Sequence, residues 1–382
     1  MTDVALLRCE EYHVESIEKS LREGFSLLGG DAMMRTLIPA GASVLLKPNL
    51  LGAEPKGSAV VTDYRIFEAV IRVLKDYTGH ISFGDSPGFG GTRKAAETTG
   101  LSEVAKRYGV PMADFDDWVV GKVPDPLLVP QFDVARAALE ADVLISLPRL
   151  KTHGMMNYTG AIKNQFGCIS GLKKASWHSR MPRSRDFSRM LLDLNSLVGT
   201  DFAILDGIVA MEGNGPKSGT PKQMNTLIMG ESISAVDSLA ATLIGYDPLD
   251  VPYLKQAHKH HWGPVLLKDI RVLGKTIEEM TPESFQLVRG RSHMHFSGSG
   301  PLNRSFVALL APRPVLVQEK CISCQQCGKI CPERPHVIDF PEGFPRWDYS
   351  KCISCFCCQE ICPKGAILVR YPRLARILRM DR

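Results

Sequence analysis

The chain has 382 residues, 44% of them hydrophobic, with 46 Lys and Arg against 41 Asp and Glu and a formal net charge of +5. Such a length predicts two or three domains, and the modest charge gives no reason to expect nucleic-acid binding. No run of 18 apolar residues is present, which argues against a spanning helix, and the first residues do not resemble a secretory signal.

Hydrophobic periodicity predicts alternating strands and helices over most of the chain. The predicted strands are 4–8, 42–47, 80–84, 142–147, 202–205 and 225–229, and the predicted helices are 14–28, 64–77, 92–108, 134–140, 187–198 and 235–244. This alternation indicates an α/β fold with a mostly parallel sheet and flanking helices. We assign residues 1–310 to this α/β domain, which can divide into two lobes near residue 170.

Polar side chains follow four of the predicted strands. Ligands in open α/β sheets bind outside the carboxyl ends of the strands, so these side chains are expected to meet in one crevice. The alternative is that they are ordinary loop residues, and that Asp85 and Asp206 cap helices. The candidates at the four strand ends are Lys47, Asn49, Asp85, Lys151, His153 and Asp206.

The segment 151–189 is the most basic part of the chain, and we interpret it as a loop that could bind an anionic substrate such as a carboxylate or phosphate. Its inner part, with Lys163 and Asn164, is more suggestive of function than its outer part, which is equally well explained as a solvated basic surface. Glu212 lies in a tight turn and is either an acid/base group or a turn residue. His258, His260 and His261 are interpreted as surface histidines.

Two cysteine runs near the C-terminus follow C-x2-C-x2-C-x3-C-P, the ligand pattern of bacterial ferredoxins. In that pattern the fourth cysteine of each run binds the other cluster. Two [4Fe–4S] clusters are therefore predicted within an α+β ferredoxin-like module at residues 311–370. The first would be held by Cys321, Cys324, Cys327 and Cys362, and the second by Cys352, Cys355, Cys358 and Cys331.

Two alternatives fit the cysteines less well. A zinc ribbon needs no third cysteine in each run, and a disulfide framework belongs to short secreted chains. Cys357 departs from the repeat, since Gln326 is its counterpart, and we interpret it as a spare thiol and not a ligand. We expect a cytoplasmic protein of an anaerobe or of a cell with anaerobic metabolism. Residues 371–382 form a basic tail in which Leu374, Ile377 and Leu378 share a helical face, suited to docking on the body or, less well, to touching anionic lipid.

Several motifs together resemble one known family. They are Leu46-Lys-Pro-Asn, Leu150-Lys-Thr-His, Thr159-Gly-Ala-Ile-Lys-Asn, the run from Asp206 to Pro216, Ala235-Val-Asp-Ser and Leu243-Ile-Gly-Tyr-Asp-Pro. Over residues 40–250 they resemble the "domain of unknown function 362" family, whose members commonly carry a two-cluster ferredoxin module. The resemblance implies an iron–sulfur protein, and that one site contains Lys47, Asn49, Lys151, His153, Lys163, Asn164, Asp206 and Glu212. It transfers little mechanism.

Two functions follow from these patterns. The first is a ferredoxin-fed reductase, in which clusters deliver electrons to a small anionic or carbonyl substrate in the crevice. His153 would donate protons, and Lys151 and Lys163 would bind the anion or stabilise developing charge. The second is a non-catalytic electron-transfer or assembly component that docks a partner enzyme. Either function implies a redox partner or electron donor. No flavin or nicotinamide fingerprint is present, and a flavin is not excluded. Nucleic-acid binding is the weakest option, because no aromatic residues are interleaved with the basic ones.

Overall fold

The computed structural model describes residues 1–88, 91–169, 171–288, 312–333, 337–370 and 372. Its strands are β1 (Thr2–Arg8), β2 (Val44–Pro48), β3 (Ile81–Phe83), β4 (Trp118–Lys122), β5 (Gln131–Ala135), β6 (Val143–Leu147), β7 (Arg149–His153), β8 (Asn157–Thr159), β9 (Phe202–Glu212), β10 (Thr220–Gly230), β11 (Ile270–Gly274), β12 (Arg313–Leu316), β13 (Ile338–Asp339), β14 (Arg346–Trp347) and β15 (Ile367–Arg370).

The helices of the body are α1 (Val14–Leu27), α2 (Gly30–Leu37), α3 (Tyr64–Leu74), α4 (Thr92–Thr99), α5 (Leu101–Tyr108), α6 (Arg136–Glu140), α7 (Ala161–Asn164), α8 (Gly171–Arg180), α9 (Ser184–Val198), α10 (Ile233–Leu243), α11 (Pro252–Lys259) and α12 (Ile277–Met280). The C-terminal module has α13 (Gln326–Ile330) and α14 (Cys357–Ile361). Short 3-10 turns include Gln165–Cys168, which follows α7 directly.

The main sheet of the described residues has the order β11-β1-β10-β9-β6-β2-β3, with β7 beside β9 and β8 beside β7. Most neighbouring pairs are parallel, and β10 runs antiparallel to both β1 and β9. Alternate side chains of β1 enter two different cores: Val4 and Leu6 pack in one, and Ala5 and Leu7 in the other. Both faces of the sheet are therefore covered, which confirms the predicted α/β class.

The C-terminal module is built from two similar halves. β12 pairs with β15 and β13 pairs with β14, both antiparallel. Each half has a cysteine loop that ends in a short helix. Each loop contains two residues with positive φ at equivalent places, Ser323 and Gln325 in the first half and Ser354 and Phe356 in the second. This arrangement is consistent with the predicted ferredoxin-like module.

Several predicted elements need correction. The predicted helix 134–140 begins only at Arg136, because residues 131–135 pair with β4 in a hairpin. The predicted helix 92–108 is two helices separated by Gly100, which has φ of 89°. The segment 151–189 is not a loop, since it contains parts of β7 and α9 together with β8, α7 and α8.

The predicted strand 202–205 continues to Glu212, so Asp206 lies inside a strand and not at its end. Strands on both sides of residue 170 belong to one sheet, because β6 pairs with β9. The predicted start of the module near residue 311, and Leu374, Ile377 and Leu378 of the tail, lie outside the described residues. No helix in the described part of the chain is long and apolar enough to cross a membrane.

Candidate functional site

A cavity of about 110 Å³ lies between the α/β body and the C-terminal module. On the body side it is lined by the segments that follow β2 and β3, by β7 and by α7. On the module side it is lined by Ile330 of α13 and by Cys357, Glu360 and Ile361 of α14. The predicted site residues that line it are Asn49, Asp85, Lys151, His153, Lys163 and Asn164.

Lys47 supports the floor of this cavity from below. Its side chain is fully buried, and Nζ donates to Asp85 Oδ1 (2.6 Å), the Pro48 carbonyl (2.9 Å) and Asn164 Oδ1 (3.3 Å). Asp85 also accepts backbone N–H groups from Leu50 (2.6 Å) and Ser86 (3.0 Å). Both charges of this buried pair are therefore satisfied, and the network fixes Asp85 and Asn164 in place.

Close packing at Gly167 keeps this network tight. A Cβ atom there would lie 1.9 Å from Asp85 Oδ1 and 2.5 Å from Lys47 Nζ. No side chain larger than hydrogen fits without moving the ion pair, so Gly167 is required for this arrangement of the cavity floor.

Lys151 is buried at the cavity wall beside Asn49. Nζ donates to Asn49 Oδ1 (2.7 Å) and to the Val60 carbonyl (2.6 Å), and no carboxylate pairs with it in the described residues. Burial lowers the pKa of Lys151 to about 7, and the charges of Lys163 and Arg149 act in the same direction. An ammonium group with that pKa can both bind an anion and donate a proton near neutral pH.

His153 faces Glu360 of the module across the cavity. Nδ1 accepts the backbone N–H groups of Met155 (3.1 Å) and Met156 (3.3 Å), so the proton of the neutral ring is on Nε2. Nε2 lies 3.1 Å from Glu360 Oε1. Burial lowers the pKa of His153, although Glu360 opposes this effect. Burial also favours the neutral form of Glu360, but His153, Lys163 and His178 outweigh it and bring the pKa of Glu360 down to about 2.

Lys163 is a cation held by aromatic rings. Nζ lies 4.9 Å from the Phe166 ring centroid and 5.7 Å from that of Phe187. Burial lowers the pKa of Lys163, while Glu360 and Cys357 raise it. No carboxylate or carbonyl accepts a hydrogen bond from Nζ among the described residues, so Lys163 is available to a ligand.

Sequence patterns did not identify four residues that line the cavity: Lys174, His178, Cys357 and Glu360. Lys174 donates to the Ser86 carbonyl, and burial lowers its pKa to about 8. His178 stacks on Phe187, with 4.7 Å between ring centroids, and burial lowers its pKa to about 3. Its Nδ1 has no hydrogen-bond partner among the described residues.

Two predicted site residues are not brought to the cavity. Asp206 is fully buried in β9, where it pairs with Arg149 and accepts a hydrogen bond from Tyr12 (2.7 Å). Glu212 accepts the backbone N–H of Gln286 (2.8 Å). Both act as structural anchors in this arrangement: Asp206 accepts a hydrogen bond from Nη1 of the buried Arg149 guanidinium group, and Glu212 ties the end of β9 to a distant segment.

The cluster cysteines line two further cavities in the module. One is lined by Cys321, Cys324, Cys327 and Cys362, and the other by Cys331, Cys352, Cys355 and Cys358. These are the two sets that the shared-ligand pattern predicts, and each cavity offers four thiolates to a cubane cluster. Cys357 lines the second of these cavities as well as the body cavity. Within the described ranges no three His, Cys, Asp or Glu side chains are arranged to hold a single metal ion.

The second half of the module docks directly on the body. Gln359 Nε2 donates to Asn214 Oδ1 (2.9 Å) and to the Gly215 carbonyl (3.1 Å). Gly154 lies against Gln359 and Phe356, since a Cβ atom there would be 3.6 Å from both. Together with the His153–Glu360 contact, these interactions hold α14 against the cavity.

Comparison with known proteins gives two family matches. A model described as "Domain of unknown function (DUF362)" matches residues 44–242, and a 4Fe-4S dicluster domain matches residues 313–363. A thylakoid-associated protein from Synechocystis sp. is 34% identical over 250 residues, which cover 65% of this chain and 76% of that protein. The lactate racemase apoprotein from Thermoanaerobacterium thermosaccharolyticum aligns with a TM-score of 0.42 and 12% identity, over 64% of this chain and 57% of that one.

Proposed function

The chain belongs to the DUF362 family and is an iron–sulfur electron-transfer protein, and from this premise we propose that it is a reductase of a small anionic molecule bound between body and module. Electrons would reach that molecule from the cluster held by Cys352, Cys355, Cys358 and Cys331, called cluster 2 below. The cluster held by Cys321, Cys324, Cys327 and Cys362, called cluster 1 below, would receive them from a donor. A cytoplasmic location is part of the proposal.

One observation carries the proposal: α14 forms a wall of both cavities. It contains Cys358, a predicted ligand of cluster 2, and the same short helix presents Cys357, Glu360 and Ile361 to the body cavity. A molecule in that cavity would therefore lie one helix turn from a cluster ligand. Electron transfer over so short a path requires no additional carrier, although a flavin is compatible with the proposal.

The clusters would supply single electrons, and each electron delivered to a carbonyl-type acceptor must be matched by a proton. Lys151 is well suited to supply that proton, because its pKa of about 7 makes it an acid near neutral pH. His153 was the preferred donor on sequence grounds, but its Nε2 proton faces Glu360. In this proposal His153 positions Glu360 and the module, and Lys163 stabilises negative charge on the substrate.

The test uses anaerobically reduced holoprotein and a panel of small anionic carbonyl compounds, with reoxidation of the clusters followed by absorbance. We expect at least one compound to reoxidise the wild type. Substitution Lys163→Gln should slow that reaction by about 10²–10³ with the iron content unchanged, because it removes a charge contact from a desolvated site. The matched control is Lys173→Gln. Lys173 pairs with Asp133 (2.9 Å) outside the cavity and should react like the wild type.

A second function is favoured by the surface next to cluster 1. Ile322 is 55% exposed and Cys324 is exposed, so a protein partner has direct access to that cluster. A chain that only relays electrons would use this surface and would not need the body cavity. If Lys163→Gln and wild type react equally with every small acceptor, and exchange electrons equally with a protein partner, the relay function replaces the reductase.

A further inference from the structure

The charges around the body cavity are not balanced by the protein side chains that surround it. Lys151, Lys163 and Lys174 line the cavity, and Lys47 lies directly beneath it. These four ammonium groups face two carboxylates, Asp85 and Glu360. When His153 and His178 are neutral and all four lysines are protonated, the site has an excess of two positive charges.

Asp85 is already engaged, and the three lining lysines are not saturated. Asp85 is bound to Lys47 and to two backbone N–H groups, and Glu360 faces His153. Lys151 has two acceptors for its three N–H groups, Lys174 has one, and Lys163 has none among the described residues. Each ammonium group can therefore donate at least one hydrogen bond to a ligand.

The remaining cavity surface is partly apolar, and three buried polar atoms at the cavity have no hydrogen-bond partner within the described residues: His153 Nε2, His178 Nδ1 and Glu360 Oε1. The apolar part is lined by Leu50, Leu51, Phe166 and Pro216. A cavity needs roughly 10–15 Å³ for one water, so about 110 Å³ accommodates a molecule of several heavy atoms. Such a surface suits a carbon chain with charged ends better than a bare inorganic ion.

We propose that the cavity binds a small organic dianion of the dicarboxylate class, with its two carboxylates on Lys151, Lys163 and Lys174. A dianion supplies the two negative charges that the site lacks and an acceptor for each unused ammonium N–H group. Uncompensated buried charge is costly, so its neutralisation gives the ligand affinity. This inference names the substrate class of the proposed reductase and rests on the same cavity.

Cluster 2 offers a competing explanation for the lysines. Its thiolates bring negative charge to the α14 wall, and that charge could serve Lys163, the lysine nearest to α14. Lys174 is bound at Ser86, in the segment that follows β3, and the carboxylate that acts on it is Asp85 of the body, not a group of α14. The experiment therefore uses oxidised holoprotein with both clusters present. Any succinate affinity measured then comes from positive charge that cluster 2 has not already neutralised.

Anaerobic calorimetry with four probes tests the proposal: succinate, butyrate, succinamide and inorganic phosphate. Succinate should bind at least about tenfold more tightly than butyrate, which lacks one charge-assisted contact, and succinamide should not bind measurably. Phosphate should be weaker than succinate because it has no carbon chain to cover the apolar wall. Equal affinity for succinate and butyrate, or for succinate and phosphate, overturns the proposal.

Two adjacent lysines provide the matched variants. Lys174→Gln should weaken succinate binding by at least about tenfold, and Lys173→Gln should leave it unchanged, since Lys173 points to Asp133. Equal losses in both variants would mean general electrostatic attraction and would overturn the site. Iron content and thermal midpoint establish that each variant is folded, and the four-probe comparison on the wild type decides the matter if Lys174→Gln is not.

The two proposals fail in different ways. Succinate binding without reoxidation of the reduced protein by any acceptor supports the dianion site and contradicts the reductase. Reoxidation by monoanionic carbonyl compounds, with no succinate binding, supports the reductase and overturns the dianion site.

Discussion

The two halves of the C-terminal module have the same cysteine pattern in different surroundings. In the half that spans residues 321–331, positions 324–326 are exposed; in the half that spans residues 352–362, the equivalent positions 355–357 are buried. The backbone is alike in both, with positive φ at the same two places of each loop. The cluster-binding conformation therefore does not depend on whether a half faces solvent or protein.

The difference lies in the residues between the ligands. Gln325, Gln326, Gly328 and Lys329 of the first half correspond to Phe356, Cys357, Gln359 and Glu360 of the second. Phe356 packs on Gly154, and Cys357 lines the cavity. Gln359 is hydrogen-bonded to the 214–215 turn, and Glu360 faces His153. The residues between the ligands therefore determine which half docks on the body, since the ligand positions are the same in both halves.

The strongest test of the comparison removes one ligand from each half. Wild type should hold about eight iron, and Cys327→Ser and Cys358→Ser about four each, because each removes a ligand of one cubane cluster. With a small reductant as donor, Cys358→Ser should abolish reoxidation by a crevice acceptor, while Cys327→Ser should retain it. Iron analysis and absorbance measure both. Equal loss of reaction in the two variants would show that the halves are not functionally different. Zinc in place of iron would contradict both predicted clusters.

An exchange of charge between equivalent positions should have the next largest effect. Glu360→Lys places a cation beside Lys163, so module docking should weaken by about 3 kcal/mol, the order of leaving a buried charge uncompensated. The reverse change in the other half, Lys329→Glu, affects an exposed side chain and should cost within about 0.5 kcal/mol. Thermal unfolding and limited proteolysis near residue 311 measure this. Similar effects of both changes would contradict the assigned docking role.

The buried half lies beside lysines whose charge changes near neutral pH. Burial lowers the pKa of Lys151 to about 7 and that of Lys174 to about 8. Lys163, Arg149, Glu360 and Glu54 are the charged groups that act on Lys151. A bound anion favours the protonated ammonium, so it raises both pKa values.

Succinate binding should therefore take up protons at pH 8 and weaken several-fold as pH rises from 7 to 9. Calorimetry at pH 8 in two buffers of different ionisation enthalpy measures the uptake, and Lys174→Gln should reduce it. A binding enthalpy that does not depend on the buffer would show that neither lysine changes protonation.

Part of this site could be predicted from sequence because local rules govern it. Cysteine spacing predicts the two sets of four cysteines that line the cavities of the module, and the strand-end rule predicts that Lys151 and His153 face the crevice where the body cavity lies. Asp206 was placed at a strand end because the apolar run stops at Leu205, but pairing with β10 extends β9 to Glu212. That pairing depends on a distant strand, which periodicity within one segment does not reveal.

The remaining wall of the cavity depends on tertiary contacts. Glu360 and Cys357 reach it only because α14 docks on Gly154 and the 214–215 turn, more than 140 residues away in sequence. Lys174 and His178 lie on α8, whose sequence Gly-Leu-Lys-Lys-Ala-Ser-Trp-His-Ser-Arg has too few apolar residues to predict a helix. Both helices are positioned by their surroundings more than by their own patterns.

The smallest expected effect comes from the extra cysteine, and it tests whether the repeat alone defines the ligands. Cys357 lines both cavities, and it lies between the predicted ligands Cys355 and Cys358 in the wall of the second, as a ligand would be placed. The first half nevertheless has Gln326 at this position, and its four-thiol cavity is complete without it. A serine is nearly the same size and the repeat supplies eight ligands without Cys357, so Cys357→Ser should retain about eight iron and change stability by less than about 1 kcal/mol. Cys355→Ser is the matched control and should lose about half the iron. If Cys357→Ser loses half the iron and Cys355→Ser loses none, Cys357 is the ligand and the two halves bind their clusters differently.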